Sequence, residues 1–232
     1  MDPFKRETLL ALLALPAGCG FVQVLPPLRT EPLASPANEP KIRPPALGQS
    51  WTYQKFNFYN GALLAVEREE VIALEPQIVL RRTDGTGQLL AEERQKTWGQ
   101  ILREPTWDFV QNYKDATPLW PQDLTVGSTT FMRTEYGLDK NSFSFWISVQ
   151  ARVKGWEKIR VPLGEFRALH VERLIDLTHV DFTRTSTTRW DQLWLVPEIG
   201  RWVARETTGF YDILRSPGGR EDTFRWELTA WT

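Results

Sequence analysis

The chain has 232 residues, a formal net charge of −1 and 25% charged residues. This balance excludes the strongly basic surface that nucleic acids or anionic membranes attract. Because Cys19 is the only cysteine, the domain cannot depend on an internal disulfide framework. The 11 tryptophans are many for this length, and they predict a large aromatic core or an aromatic-lined cavity.

The N-terminal stretch has the layout of a secretory signal. Residues 9–15 are all Leu or Ala, a run too short to span a bilayer, which needs roughly 20 apolar residues. A short positive segment precedes this run, and small residues lead from it to Cys19. The pattern resembles a bacterial lipoprotein signal, with Pro16 where leucine is usual. The resemblance implies a signal peptide over 1–18 and lipidation of Cys19.

Stable membrane anchoring takes roughly two acyl chains, such as palmitate. Lipidation would hold the protein on a membrane, because the diacylglyceryl group added to the Cys19 thiol carries two such chains. Gly20 follows the cysteine where aspartate would retain a lipoprotein at the inner membrane. The resemblance therefore implies the outer membrane, with the domain facing the periplasm. Two alternatives stay open: an ordinary cleaved signal peptide, or a cytosolic helix with an incidental cysteine.

Residues 19–47 form the predicted tether that follows the signal. Proline fixes φ and removes backbone donors, so we expect an extended and unpacked spacer. A generic disordered N-terminus fits the same composition. The prolines of this segment are Pro26, Pro27, Pro32, Pro36, Pro40, Pro44 and Pro45.

Residues 48–232 predict one mainly-β domain. Apolar and polar residues alternate over 142–154 and again over 224–230, the pattern of strands with one dry and one wet face. About 10–12 antiparallel strands with little helix indicate a curved sheet, either a half-barrel or an open barrel, and leave a sandwich as the alternative. One helical stretch is considered over 98–110, where Pro105 interrupts the pattern.

Turn residues separate the predicted strands. Asn60-Gly61, Asp84-Gly85 and a Pro-Glu-Ile-Gly segment ending at Gly200 each predict a reversal of the chain. A further turn is expected at Pro217-Gly218-Gly219. The charged clusters at 67–70 and 81–82 are expected on solvated strand faces or as protection of a sheet edge.

Three segments resemble a group of periplasmic proteins and lipoproteins whose half-barrel is related to the lipoprotein carriers LolA and LolB. They are Pro118–Pro121 with Val126-Gly127, Val161–Phe166, and Trp194–Trp202. The resemblance covers about 115–210. It implies a curved antiparallel sheet whose concave face can cover a lipid, an acyl chain or an apolar segment of a partner.

No nucleophile, phosphate-binding or dinucleotide motif is present in the sequence, so neither a catalytic residue nor a cofactor is predicted. His170 and Glu172, like His179 and Asp181, are two residues apart and would share a strand face. A hairpin centred near Ile175 would bring these four side chains together as ligands for zinc or a similar ion. The alternative is two cross-strand His–carboxylate pairs on the solvated face.

The tryptophans divide into two groups. Trp194, Trp202 and Trp226 occupy alternating strands and are predicted to fill the core. Trp120 and Trp156 adjoin turns and are the candidates for the mouth of a ligand cavity.

The leading hypothesis is a non-enzymatic outer-membrane lipoprotein whose β domain binds an apolar ligand or an envelope partner. The alternatives are a scaffold or assembly lipoprotein without a small ligand, a cell-wall sugar binder and an envelope hydrolase. A deep apolar concavity would favour the carrier, whereas a sheet filled by side chains would favour the scaffold. Three converging titratable groups in a cleft would favour the enzyme.

Overall fold

A computed structural model describes residues 25–38, 41–140 and 142–232, which form fourteen β-strands in one antiparallel sheet. The signal peptide predicted for 1–18 and the predicted lipidation site Cys19 lie outside the described residues. The strands are β1 Arg29–Leu33, β2 Ser50–Asn57, β3 Leu63–Ala73, β4 Ile78–Asp84, β5 Leu89–Thr97, β6 Gln100–Glu104, β7 Gln111–Pro118, β8 Thr129–Gly137, β9 Ser144–Val161, β10 Gly164–Leu177, β11 Arg184–Val196, β12 Arg201–Ile213, β13 Ser216–Arg220 and β14 Phe224–Trp231.

The predicted fold, a mainly-β curved antiparallel sheet, is confirmed, and the sheet curves further than a half-barrel. Twelve of the described strands close into a barrel in the order β9-β10-β11-β12-β14-β2-β3-β4-β5-β6-β7-β8, with β8 paired to β9. Each of these strands pairs with the next one along the chain, and the ring is closed where the last barrel strand, β14, pairs with the first, β2. This closing pair places Trp226 opposite Lys55 and Leu228 opposite Tyr53. β1 and β13 add to the barrel at β9 and β12.

Most predicted turns fall where the sequence places them. Asn60-Gly61 lies between β2 and β3, Asp84-Gly85 at the end of β4, and Gly200 just before β12. The turn expected at Pro217-Gly218-Gly219 is displaced, because those residues belong to β13 and the chain reverses at 214–215 instead. Gly218 lies so close to the backbone of Tyr211 that a side chain there would overlap it.

The helix considered over 98–110 is wrong. β6 occupies Gln100–Glu104, and an irregular connection follows over 105–110. Gly99 has φ +85° and starts the strand from a tight reversal after β5. Pro105 ends the strand because it offers no backbone donor to the ladder.

The expectation of an unpacked tether is also wrong for the described part of residues 19–47. β1 pairs with β9, from Arg29 opposite Arg160 to Leu33 opposite Trp156. Before β1, the Pro26 carbonyl accepts a hydrogen bond from Arg225 Nη1 at 2.6 Å. We call residues 25–38 and 41–47 the N-terminal strap. Its prolines are tolerated because β1 lies at an edge, where a missing donor costs little.

The barrel has two ends that the strap connects. The mouth end carries the connections β2–β3, β6–β7, β10–β11 and β12–β13, and the base end carries β3–β4, β9–β10 and β11–β12. Arg225, the second residue of β14, holds the Pro26 carbonyl. β1 then pairs antiparallel to β9 with Arg29 opposite Arg160, beside the β9–β10 connection, so β1 starts at the base end and runs toward the mouth end. The strap afterwards returns to the base end, where the Arg43 N–H donates to the Pro197 carbonyl at 2.9 Å.

The predicted core tryptophans Trp194, Trp202 and Trp226 are buried, as expected. Trp202 stacks on Tyr53 with 4.0 Å between ring centroids, and the Tyr53 hydroxyl donates to the Trp202 carbonyl at 3.0 Å. These contacts join β12 to β2, the two strands on either side of β14. The large aromatic core that the composition predicts therefore exists.

Gly99 tests how tightly this core is packed. A Cβ at Gly99 would overlap the indole ring of Trp120, whereas one at Gly87, which has the same φ of +85°, would meet nothing within 4 Å. We expect Gly87→Ala to lower the free energy of unfolding by about 1–2 kcal/mol, the cost of left-handed backbone. Gly99→Ala should cost about 1–3 kcal/mol more through overpacking. Urea denaturation measures both, and equal losses would contradict the contact with Trp120.

Candidate functional site

The interior of the barrel is charged, which corrects the expectation of solvated clusters at 67–70 and 81–82. Glu67, Glu69 and Arg82 are buried and point inward, while Glu70 and Arg81 pair on the outer face at 3.1 Å. Alternation along β3 and β4 correctly separates the two faces. In the closed barrel one of those faces lines the lumen, where buried charges require ion-pair partners.

A central network of ion pairs crosses the lumen between β6 and the opposite wall. Glu104 of β6 accepts two hydrogen bonds from Arg173 of β10, both at 3.1 Å, and one from Arg205 of β12 at 2.8 Å. Asp191 of β11 also binds both arginines, with Arg205 Nε at 2.8 Å from its carboxylate. Two cations and two carboxylates therefore balance in charge inside the sheet.

The central network is almost completely removed from water. Arg173 and Asp191 have no exposed side-chain surface, and Glu104 has 1%. Burial opposes ionisation of Glu104, but the charges and hydrogen bonds of Arg173 and Arg205 hold its pKa well below the ordinary range. The Tyr113 hydroxyl donates to Glu104 at 2.9 Å. Burial raises the pKa of Tyr113, so this hydroxyl stays protonated as a donor.

A second network crosses the lumen nearer the base end. Arg201 of β12 contacts Glu69 of β3 at 2.7 Å and Glu93 of β5 at 3.1 Å. Glu69 is also 3.8 Å from Arg82, which pairs with Glu67 at 2.7 Å. Burial raises the pKa of Glu69 despite Arg201. Together the two networks fill the centre of the barrel with side chains that bind one another.

The filled lumen bears directly on ligand binding. An acyl chain could thread the barrel only by separating buried ion pairs, which would leave charges without partners in a low-dielectric interior. Such a separation costs several kcal/mol per pair. The described part of the lumen therefore does not provide the deep apolar concavity that was the criterion for a carrier.

A third cluster of titratable groups lies at the mouth end, and we call it the mouth cluster. It comprises Asp108 of the β6–β7 connection, His179 of the β10–β11 connection, Glu221 just before β14, and Arg184 and Arg189 of β11. Arg189 Nη2 donates to Asp108 at 2.8 Å and to Glu221 at 2.9 Å. Arg184 Nη1 donates to Glu221 at 2.9 Å. The cluster ties three connections of the barrel together.

Both ring nitrogens of His179 are occupied. The Asp181 backbone N–H donates to His179 Nδ1 at 3.0 Å, so Nδ1 is the acceptor. Nε2 must then carry the proton that it shares with Asp108 Oδ2 at 2.9 Å. A histidine held in this way orients Asp108 and offers no free nitrogen to a substrate. The arrangement positions a carboxylate and does not resemble a nucleophile–base pair.

Asp108, His179 and Glu221 meet the geometric requirement for metal binding, since one ligand atom from each lies within 4.8 Å of the others. The same carboxylate oxygens already accept hydrogen bonds from Arg184 and Arg189. A divalent cation would have to displace two guanidinium groups, one of which is 1% exposed. The donor set therefore fits an ion-pair cluster better than a metal site.

An open cavity of about 360 Å³ adjoins the mouth cluster. Its aromatic walls are covered by arginines: the Arg184 guanidinium lies 3.9 Å from the Tyr211 ring centroid and that of Arg189 lies 4.6 Å from Trp107. Sugar binding needs exposed ring faces on which a pyranose can stack. Because arginines occupy these faces, the cavity gives little support to the sugar-binder alternative.

The predicted metal site is wrong in its geometry. β10 continues straight through Ile175 to Leu177, so no hairpin is centred there. His170 instead contacts Glu157 at 3.0 Å, and Glu172 contacts Lys154 at 3.4 Å. Asp181 caps Thr183 in the β10–β11 connection. No Gly or Asn is available near Ile175 to make the expected turn, and the four side chains consequently disperse.

The two cavity candidates have different environments. Trp120 is buried, yet it borders an open cavity of about 500 Å³ at the base end together with Trp98 and Leu124. Trp156 is also buried; it belongs to the hydrophobic core, and its backbone partner in β1 is Leu33. The structure thus places Trp120 beside a surface cavity and Trp156 in the core next to the edge strand β1.

Asp108, Glu221 and Arg189 were missed by the sequence analysis. Asp108 and Arg189 are 81 residues apart, and Arg189 and Glu221 are 32 apart. They meet only because closure of the barrel brings three connections to one end. No local spacing signals such a cluster, and only His179 had been singled out.

The fold defines a class, the closed antiparallel β-barrel of 12 strands. Neither a protein-family profile nor a curated protein matches the sequence. Among solved structures, the chain is similar to a protein of Parabacteroides distasonis described as a lipoprotein, with a TM-score of 0.52 and 15% identity over 84% of this chain and 100% of that chain. At this identity the similarity concerns the fold alone.

Two further solved structures show a weaker similarity. One is an exported protein with a YmcC-like fold from Bacteroides fragilis, with a TM-score of 0.48 and 16% identity over 83% of this chain and 99% of that chain. The other is the hypothetical lipoprotein YmcC of Escherichia coli, with a TM-score of 0.43 and 12% identity over 78% and 83% of the two chains. The resemblance to LolA and LolB stays a prediction.

Membrane-spanning helices were also considered. Within the described part of the chain, no helix has both the length and the apolar character that a bilayer crossing requires.

Breaking the central network should be costly. Glu104→Gln removes one of two carboxylates and leaves a buried cation without compensation, so we expect the free energy of unfolding to fall by about 3–5 kcal/mol. Glu70→Gln, on the outer face of β3, is the matched control. It should cost less than about 1 kcal/mol, because surface ion pairs contribute little. Similar losses in urea denaturation would show that the lumen is not dry.

The mouth cluster predicts a defined pH dependence. Burial opposes ionisation of Asp108, but the hydrogen bond from His179 and the charge of Arg189 lower its pKa to about 2. A carboxyl whose pKa falls on folding stabilises the protein above its unfolded pKa of about 3.9 and loses this effect as it is protonated. The stability gap between wild type and Asp108→Asn should therefore be constant above about pH 5 and close between about pH 4 and pH 2. A gap that does not vary with pH would contradict this assignment.

Proposed function

We propose that this protein is a lipid-anchored, non-enzymatic envelope lipoprotein whose barrel acts as a rigid docking scaffold. The observation that carries the proposal is the lumen filled by the central network. Glu104, Arg173, Asp191 and Arg205 bind one another across the barrel and leave its interior to side chains. A barrel of this kind can offer a partner only its outer surface and its two ends.

The anchor rests on the sequence. Ala17 and Gly18 before Cys19 have the layout of a lipoprotein signal, and Gly20 favours the outer membrane with the barrel in the periplasm. The fold similarity to a protein described as a lipoprotein is consistent with this location. Because the lipid supplies membrane attachment, the barrel itself needs no membrane-crossing element.

The competing functions have less support. A carrier needs an apolar cavity that can enclose a chain, whereas the lumen holds buried charges. A hydrolase needs a base that can reach a nucleophile, whereas His179 is hydrogen-bonded at both nitrogens. A scaffold needs a stable surface, and the networks that cross the lumen hold opposite walls of the barrel at fixed separation.

Mass spectrometry of the protein purified gently from the cell envelope tests this proposal. We expect a chain that begins at Cys19, carries covalent acyl chains and contains no further lipid in stoichiometric amount. Cys19→Ser should abolish membrane attachment while the barrel keeps its melting temperature, because the strands that the structure describes begin only at Arg29.

Two outcomes would overturn the proposal, each in a different part. An unmodified cysteine on the full-length chain would remove the lipid anchor and the location inferred from it. One non-covalent lipid per chain that survives purification, and is retained by Cys19→Ser, would replace the scaffold with a carrier.

A further inference from the structure

The N-terminal strap brings the start of the described chain to the mouth end of the barrel. Arg225 holds the Pro26 carbonyl at 2.6 Å and is itself 2% exposed. Its guanidinium also lies 4.8 Å from the ring centroid of Phe58, in the β2–β3 connection. From there the chain reaches the base end at Arg29, which pairs with Arg160, and β2 begins at that same end.

Leu25 lies in an apolar groove at this end. The groove has a volume of about 520 Å³, and Phe58, Trp190 and Phe210 line it together with Leu25. The rings of Trp190 and Phe210 are 5.4 Å apart on the outer face of β11 and β12. The strap therefore leaves the barrel over an aromatic outer wall and not over a charged one.

Cys19 is six residues before Leu25. An extended chain spans at most about 3.6 Å per residue, so the lipid attachment point is within roughly 22 Å of the groove. The predicted Pro-rich spacer therefore cannot hold the barrel far from the lipid headgroups, because part of it, β1, is paired with β9. A lipid on Cys19 would hold the mouth end close to the membrane.

Exposed apolar side chains surround the same exit point. Leu214, at the tip of the β12–β13 turn, is 68% exposed, and Tyr59 and Phe210 are 44% and 43% exposed. Tyr59 is held in place by its hydroxyl, which donates to the Glu221 carbonyl at 2.9 Å. Contiguous exposed apolar groups mark interaction surfaces. Tyrosine in particular favours the membrane–water interface, where its ring is apolar and its hydroxyl is wet.

We propose that Leu25, Tyr59, Phe210 and Leu214 form a bilayer-facing surface that rests on the membrane to which Cys19 is anchored. The proposal builds on the proposed function, since the lipid on Cys19 supplies the attachment. The short reach from Cys19 to Leu25 selects the bilayer as the occupant, because acyl chains on Cys19 would keep the membrane within roughly 22 Å of this surface. The base end would then point into the periplasm.

The test uses the mature lipoprotein in vesicles of phosphatidylethanolamine and phosphatidylglycerol. Cys19 is the only cysteine, and its thiol would carry the acyl group in the mature lipoprotein. A cysteine introduced elsewhere would then be the single site for an environment-sensitive fluorophore. Leu214→Cys reports on the mouth end. Leu47→Cys at the base end is the matched control, since Leu47 is 65% exposed.

We expect the label at position 214 to shift its emission to shorter wavelength on reconstitution, to be quenched by a nitroxide-bearing lipid and to lose quenching by aqueous iodide. The label at position 47 should show none of these changes. Leu214→Asp combined with Tyr59→Cys should reduce the shift at position 59, because a carboxylate resists transfer into the interface. Circular dichroism of each variant confirms that the barrel is folded.

The outcomes separate this inference from the proposed function. Acylated Cys19 with equal responses at positions 214 and 47 would overturn the orientation alone. A stronger response at position 47 would invert it. Mass spectrometry that finds no acyl chain on Cys19 would overturn the proposed function and remove the attachment on which the orientation depends.

Discussion

Ion pairs across the lumen are the constraint on which this barrel depends. Glu104 reaches from β6 to Arg173 and Arg205 on the far wall, so a single carboxylate joins elements about 70–100 residues apart in the chain. Burying these charges is costly, and the cost is offset only when every partner is in place. A shift of any one of these strands by one residue would turn its own charged side chain outward and leave the partners unpaired. The networks therefore select the register of the sheet as well as stabilising it.

Much of the sheet could be predicted from the alternation of residues, but its interior could not. Period two separates Glu67 and Glu69 from Arg68 and Glu70 in β3, and it does so correctly. What alternation cannot reveal is which face becomes the lumen. That depends on closure, which is made by β14 with β2, the two ends of the barrel sequence. Charged residues on a strand are usually assigned to a solvent-exposed face. Here they face the lumen, and their partners lie on other strands of the barrel.

The same limit explains the candidate site and the strap. The mouth cluster assembles from Asp108, His179 and Glu221, which have no fixed spacing and meet only at one end of a closed ring. The strap was predicted to be free because its prolines prevent regular structure. Five residues, Arg29–Leu33, nevertheless pair with β9 although Pro32 is one of them. The 18-residue length of β9 leaves an edge beyond β8 for this pairing. Proline content predicts that a segment will not form regular structure by itself. It does not predict whether a neighbouring strand has a free edge with which the segment can pair.

The proposed orientation gives the two ends of the barrel different roles. The described lumen is filled by Glu104 and its partners, which is the observation behind the proposed scaffold. The strap begins near Arg225, which holds Pro26, and later reaches the base end, where the Arg43 N–H donates to the Pro197 carbonyl. In the proposed orientation, a lipid on Cys19 would keep the mouth end at the membrane and the base end away from it. The ion pairs across the lumen would serve this arrangement, because a scaffold can present its far end at a fixed height only if its walls do not move.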